Sequence, residues 1–431
     1  MSRELIHAFR QSPGGYHKGW GGPEYTDWKD EQMSWKTNCY VGDWNFLWTL
    51  LFEGPDALKL LSDISVNSFA KFDVGQGKHV VQCNEYGLVI AEGVLMRLDE
   101  QKYVAQSTPA FYVGYKIATG DYNARSWQED WYKYQVQGPL SLFVLEKAAG
   151  ESLRDIGFMR FRHVEIAGHK VLCLRQGMAG DLGYEIQGPA GEADDVYNAV
   201  LDAGKEFGIR RLGRRTVMIN HIEACFPTAV FHYQGATFGR GMEGYQEFMM
   251  KNFDLSWVVP KIAGSFEAKD ISEYCHTPVE MGWAKNIKFD HDFIGRRALE
   301  AEVANPKRTI CTLEFNAEDV IDIYASLFTP GQEYDFMDIP LPSRWILWHD
   351  QVLKDGKPAG ISTVPGYSYY FRKFISLTYI DAALNNPGME VNVVWGNPGT
   401  PQKLIRATVA PAPYKKDNRR VDVTTLPSYL K

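Results

Sequence analysis

The sequence predicts an α+β fold that ends in a small β-barrel, and three observations carry that prediction. Short apolar strands and amphipathic helices alternate without the regular strand–helix–strand rhythm of a parallel sheet. After about residue 305 the pattern changes to short strands separated by Pro and Gly, as a small barrel requires. The chain has 431 residues, 45% hydrophobic and 23% charged, enough for two or three domains with substantial cores.

The elements follow in order. The first 40 or so residues are irregular and rich in Gly and Trp, with a short helix over 28–36. Residues 44–52 form a strand-like run ended by Glu53-Gly54. Pro55 then opens a helix, with Asp56 in its first turn and Ala57, Leu58, Leu60 and Leu61 as its apolar face. Strands are predicted at 80–84, 87–98 and 103–106, the first two joined by the turn Asn84-Glu85-Tyr86-Gly87, and a helix at 110–118. Further strands lie at 132–137, 164–166, 171–174 and 184–186. A helix over 193–207 ends at Gly208. The barrel strands are 308–315, 351–353, 360–364, 374–380, 391–395 and 405–409.

Composition excludes several function classes. A net charge of −7 argues against a general nucleic-acid binder, which carries a basic face. Six cysteines are scattered without a CxxC pair, so zinc and thioredoxin spacings are absent and the thiols read as reduced, in a cytoplasmic protein. The N-terminus has no apolar signal core, and no stretch approaches 18 uncharged apolar residues, so neither secretion nor membrane spanning is expected. Aromatic residues make up 13% of the chain, which suits a flat ligand as well as it suits a large core.

The most informative motif is the glycine-punctuated turn of residues 175–183, which delivers Glu185 into a short apolar strand closed by Gly188-Pro189. That carboxylate either faces solvent or is buried against a partner, and a buried one must be paired or strongly hydrogen-bonded. A carboxylate accepts two parallel N–H donors, so it suits the edge of a guanidine-like heterocycle. Nucleotide-binding glycine patterns are absent, as is a nucleophile elbow. Asp290-His291-Asp292 is a poor metal set, because neighbouring loop residues do not all face one ion, and no metal is expected. Cys225 reads as packing. His232-Tyr233 follows a segment read as extended, 226–231, and precedes a Gln-Gly turn; the Tyr is either structural or a proton donor beside an imidazole.

Several segments carry a family resemblance. Gly183-Tyr184-Glu185-Ile186, the Asn84-Glu85-x-Gly87 turn, Thr277 to Gly282 and Asp292-Phe293-Ile294-Gly295-Arg296 resemble, in order, the aminomethyltransferase (glycine cleavage T-protein) superfamily. Residues 54–63, Arg175 to Gly180, 288–296 and 323–328 resemble its tetrahydrofolate-dependent aryl O-demethylases, of the vanillate and syringate type. The resemblance implies a three-lobed cloverleaf around a central folate channel. Residues 1–304 would be a folate-binding region of two α+β lobes, and 305–431 the barrel domain. It implies that Glu185 anchors the pterin, with Arg175, Asn84 and Tyr184 as further folate-binding candidates. Tyr233 falls where the O-demethylases carry a Tyr for proton transfer, and His232 and Glu92 join it as catalytic candidates.

Departures from the family pattern limit the substrate. The acidic pair of the T-protein reads Ala91-Glu92 here. The His pair of the O-demethylases reads Asn45-Phe46, and their carboxylate-holding Arg reads Ser107. Tyr16, Trp44 and Phe46 are the candidates for stacking on a substrate ring, with Asn45 and Ser107 beside them. The implied reaction is methyl transfer from a small methoxylated aromatic compound to N5 of tetrahydrofolate. Transfer from a non-aromatic amine, sulfonium or methylenedioxy compound stays open, as does folate binding without turnover.

Overall fold

The structure, a computed structural model, describes residues 2–15, 19–255, 261–331 and 333–429. Three lobes, each with its own sheet and apolar core, meet around a central cavity. The first lobe is a six-stranded sheet in the order Arg210–Leu212, Tyr40–Asp43, Trp131–Gln137, Gly183–Pro189, His169–Leu174, Phe161–Ile166. Alternation along Trp131–Gln137 sends Tyr132, Tyr134 and Val136 into the core with Tyr184, Ile186 and residues of the helices Ser141–Ala149 and Ala193–Gly204. The opposite face then carries Lys133, Gln135 and Gln137, in register with Gln187, Glu185 and Gly183. A buried polar face results, of which Lys133 and Glu185 line the cavity.

The second lobe is a five-stranded sheet, Gln76–Cys83, Val89–Arg97, Lys102–Gln106, Thr49–Glu53 and Arg125–Gln128, packed with the helices Ala57–Ile64, Thr108–Thr119 and Glu243–Asn252. The third is the barrel. Arg308–Phe315 pairs with both Lys403–Ala410 and Lys373–Asp381 and so closes a ring through Glu390–Trp395, Asp350–Lys354 and Lys357–Ser362. After Ala410 the chain leaves the barrel and docks on the first lobe. There Arg154 donates to the carbonyls of Val423 and Leu426 at 3.0 and 2.7 Å, and Val423 joins that core.

Two local expectations give way to turns. The run 44–52 is not one strand: Asp43 Oδ1 accepts from the Asn45 N–H at 2.8 Å, and this short Asx turn breaks the extended chain before Thr49–Glu53. The break lets Trp44 and Phe46 reach the cavity. Residues 226–231 are likewise a turn, in which the His232 N–H donates to the Thr228 carbonyl at 2.9 Å. All six cysteines are free, and among the described residues no helix is long and apolar enough to cross a membrane.

One buried ion pair ties the lobes together. Lys36, on the helix Trp28–Thr37, lies 2.6 Å from Glu223 on Val217–Ala224, and that carboxylate also accepts from Trp35 Nε1 at 2.9 Å and from Ser368 Oγ of the barrel lobe at 2.7 Å. Burial pulls the Lys36 ammonium down to about 8, against the attraction of Glu223. Removing the cation alone strands a buried carboxylate. Lys36→Met should therefore cost about 3–5 kcal/mol, read as a lower urea midpoint with an unchanged slope. An unchanged midpoint would show the pair to be dispensable.

Candidate active site

Residues from all three lobes and the C-terminal tail line one cavity of about 1180 Å³. Glu185 stands in its wall, on the strand Gly183–Pro189. Its Oε1 accepts from Gln135 Nε2 at 3.2 Å and from Gln176 Nε2, and its Oε2 accepts from Gln187 Nε2 at 3.4 Å. These amides are themselves fixed. The Tyr40 hydroxyl donates to Gln135 Oε1 at 2.6 Å, and Gln106 exchanges hydrogen bonds with Gln187. Gln137 caps the glycine turn, its Oε1 accepting from the N–H groups of Met178 and Ala179 at 3.1 and 3.0 Å. Gly177 is required there, since a Cβ would overlap the Gln137 amide.

The electrostatics of that wall are unusual. Burial pushes the Glu185 carboxyl up to about 7, and the amide donors and the nearby Lys133 charge only partly oppose it. Lys133 is itself pulled down to about 8 by burial; its ammonium donates to the carbonyls of Leu47 and Trp131 at 2.7 and 3.1 Å. Among the described residues, Glu185 is hydrogen-bonded by neutral amides alone.

A second group faces the same cavity from the five-stranded sheet. Glu92 Oε2 accepts from His79 Nε2 at 2.9 Å, and Asn286 Nδ2 donates to His79 Nδ1 at 3.0 Å. The Tyr233 hydroxyl donates to Glu92 Oε1 at 3.5 Å from behind. Tyr233 is 1% exposed and does not line the cavity, and burial together with the Glu92 charge holds its phenol well above the ordinary value. Trp20, Trp44, Phe46, Trp48, Phe111 and Trp345 are among the aromatic residues lining the cavity, with the Trp20 and Phe46 ring centroids 4.8 Å apart. Ser107 lies beside Trp48 and Phe111, in a left-handed conformation at φ 64° that is strained for a residue with a Cβ.

Of the residues expected from sequence, the structure brings Glu185, Glu92, Trp44, Phe46 and Ser107 to one cavity. Others have different partners. Tyr184 points to the opposite face of its strand and packs in the first-lobe core, because adjacent strand residues alternate. Arg175 holds the tail, donating to the Val421 carbonyl at 2.5 Å. Asn84 closes its own turn, accepting from the Tyr86 and Leu88 N–H groups at 3.0 and 3.1 Å. Asn45 accepts from the Lys133 N–H at 2.7 Å and lies outside the cavity lining. His232 is fully buried away from it, accepts from the Thr228 N–H at 2.9 Å, and is pulled down to about 3 by burial, so it is a neutral packing residue. Tyr16 lies outside the described residues.

Sequence reasoning missed Gln135, Gln176, Gln187 and His79. The signal for the first and third was present as the alternation Lys133-x-Gln135-x-Gln137 and Glu185-x-Gln187, polar residues at period two inside strands. Nothing in the sequence links His79 to Asn286, which is 207 positions away.

Known proteins share this architecture. The GCVT N-terminal domain matches residues 11–236. A sesamin methylene transferase of Sinomonas sp. is 35% identical, over 94% of this chain and 93% of its own. A syringate O-demethylase of Sphingobium sp. is 32% identical, over 91% and 89%. The crystal structure of the glycine cleavage system aminomethyltransferase T from Bartonella henselae superposes with a TM-score of 0.68 at 17% identity, covering 96% of this chain and 97% of that one, and so shares the fold. The matched domain and the near full-length relatives lead to one assignment: this chain belongs to the aminomethyltransferase (glycine cleavage T-protein) superfamily, near its aryl O-demethylases, and is a tetrahydrofolate-dependent methyltransferase.

Proposed function

We propose that the protein removes the methyl group of a neutral methoxylated arene and passes it to N5 of tetrahydrofolate, with Glu185 holding the pterin edge. The observation that carries this reading is the buried Glu185 carboxylate, hydrogen-bonded by amides and raised to about 7. Such a group gains most from a ligand offering two adjacent N–H donors, as the 2-amino-pteridinone edge does. When bound, tetrahydrofolate supplies the amine that takes the methyl group.

The chain's own residues do the rest. Gln135, Gln176 and Gln187 fix the Glu185 carboxylate, and so the plane in which the pterin lies. Trp20, Trp44, Phe46, Trp48 and Phe111 offer faces and edges to an aromatic ring and exclude water around it. A phenolic oxygen leaves far better when protonated, and Glu92, with Tyr233 hydrogen-bonded behind it, is the candidate route for that proton. Positioning supplies much of the remaining acceleration.

The neutral character of the arene rests on the same lining. Ser107 stands where an Arg would hold a carboxylate, and the Lys133 ammonium is engaged by backbone carbonyls. The other described cations of the cavity, Lys71, Lys78, Lys285, Lys288, Arg419 and Arg420, sit on elements other than those carrying Trp48, Ser107 and Phe111. A second reading, methylene transfer from a methylenedioxy arene, is favoured by the 35% identity to a sesamin methylene transferase. The free cysteines fit a cytoplasmic enzyme.

Incubation with tetrahydrofolate and a panel of methoxy- and methylenedioxy-arenes, neutral and carboxylated, tests the reading through the mass of the folate product. Methyl-tetrahydrofolate formed faster from neutral methoxyarenes than from methoxybenzoates is the expected result. Methylene-tetrahydrofolate from methylenedioxy compounds alone would establish the second reading, and folate binding without any product would overturn both.

A further inference from the structure

We propose that His79 and Glu92 act as one proton-holding pair, in which His79 is the positioning residue that keeps Glu92 charged with the proton destined for the leaving oxygen. The inference rests on the aryl-ether reading above and adds to it a residue that sequence did not single out. His79 and Glu92 sit on neighbouring antiparallel strands, Gln76–Cys83 and Val89–Arg97, and both line the cavity. Their side chains meet at 2.9 Å and are only 22% and 11% exposed. The imidazole is held from several sides. Asn286 contacts Nδ1 at 3.0 Å, the Trp283 ring stands edge-on at 4.9 Å and the Phe226 ring lies 5.4 Å away.

This arrangement couples the hydrogen on the ring to the orientation of the Asn286 amide. With Asn286 Nδ2–H donating to Nδ1, the neutral ring must carry its hydrogen on Nε2, aimed at the Glu92 carboxylate. A half-turn of the Asn286 amide would instead offer its oxygen to an Nδ1–H, so the same contact serves the imidazolium. The pair can therefore hold one extra proton, shared between Nε2 and Glu92 Oε2. Other titratable groups nearby are Tyr233, which donates to Glu92 Oε1, and His221, whose ring centroid is 6.0 Å from that of Phe226. Lys285 belongs to the same turn as Asn286 and lines the same cavity.

The proton balance of the reaction gives the pair its task. When the bond between the methyl carbon and the ether oxygen breaks and the methyl carbon bonds to the accepting amine, the aryl oxygen keeps the electron pair of that bond and takes up one proton. One proton leaves the amine. The two cancel, so no oxidant, reductant or added acid is consumed, and the protein has only to hold and pass the proton. Glu92 makes the contact with the aryl oxygen, and His79 reloads Glu92.

The test combines a spectroscopic and a kinetic arm on the full-length protein. In ligand-free protein labelled with 15N-histidine, the His79 ring should show the Nε2–H tautomer, and Glu92→Gln should change its two nitrogen shifts. With an arene taken from the panel, His79→Gln should lower kcat at least about ten-fold and displace the alkaline limb of the kcat–pH profile. KM for the arene and tetrahydrofolate affinity should stay within about two-fold, and His79→Asn should behave likewise if Gln packs poorly. Wild-type kcat and pH profile in both variants would overturn the pair, as would His79 nitrogen shifts indifferent to Glu92→Gln. If the wild-type protein yields no folate product from any arene, the aryl-ether reading fails, while the nitrogen shifts still decide for or against the pair.

Discussion

Glu185→Ala should weaken tetrahydrofolate binding by about 30- to 1,000-fold, the equivalent of roughly 2–4 kcal/mol for losing hydrogen bonds to a charged acceptor in a buried site. Glu185→Gln should fall in the same range, because an amide presents one acceptor and one donor to a ligand edge that offers only donors. The fold should survive both changes, since Gln135, Gln176 and Gln187 can repartner with one another or with water. Calorimetry measures the loss directly, and wild-type affinity in either variant would remove Glu185 from the folate site.

The same carboxylate gives binding a pH dependence with a definite sign. Burial holds the Glu185 carboxyl at about 7 in the folded protein, above the ordinary value of 4.5. Between those two values the folded state keeps a proton that the unfolded chain has released, so this group makes the folded protein less stable as pH rises through the window. A ligand that donates N–H groups favours the ionised form. Binding below about pH 7 should therefore expel a proton, and affinity should climb with pH and level off above it. Calorimetry in buffers of different ionisation enthalpy counts the proton. Proton uptake on binding, or a flat profile in wild type, would contradict the anchor.

Glu92→Gln should lower turnover by about 10²–10⁴-fold while leaving tetrahydrofolate affinity near wild type. The amide keeps the size of the side chain, and the residue 92 N–H, which donates to Thr108 Oγ1 at 3.0 Å, is not altered by the substitution, so the fold should be kept. Tyr233→Phe should cost less, about ten-fold, because its hydroxyl reaches Glu92 at 3.5 Å and does not open on the cavity. Single-turnover mixing with saturating folate separates this chemistry from binding. Full activity in Glu92→Gln would move the proton route elsewhere.

Much of this architecture can be read along the chain, and the exceptions have physical causes. Alternation marks the strands Trp131–Gln137 and Gly183–Pro189, and the Pro and Gly spacing marks the barrel after Arg308. The helices Ser141–Ala149, Val217–Ala224 and Arg296–Ala304 escape notice. The first two are buried on most faces, polar residues such as Glu146, Asn220 and Glu223 included, so no one-sided apolar period stands out. Trp44 and Phe46 look like strand residues until the Asp43 turn is seen to break the run. Candidates drawn from motifs divide by what each side chain has to satisfy. Asn84 and Arg175 spend their polar atoms on a turn and on the tail, whereas Glu185 is left facing the cavity.

By itself the sequence determines the α+β class, the barrel and a carboxylate set in a strand after a glycine turn, because periodicity and turn chemistry are local properties of the backbone. Only the tertiary structure decides what that carboxylate meets. Gln135 and Gln176 lie 50 and 9 positions from it, and His79 lies 13 from Glu92 and 207 from Asn286. Burial raises Glu185, and pairing holds Glu92, through neighbours that strand register and lobe packing bring together. Neither effect has a signature along the chain, because desolvation and hydrogen bonding depend on what is close in space.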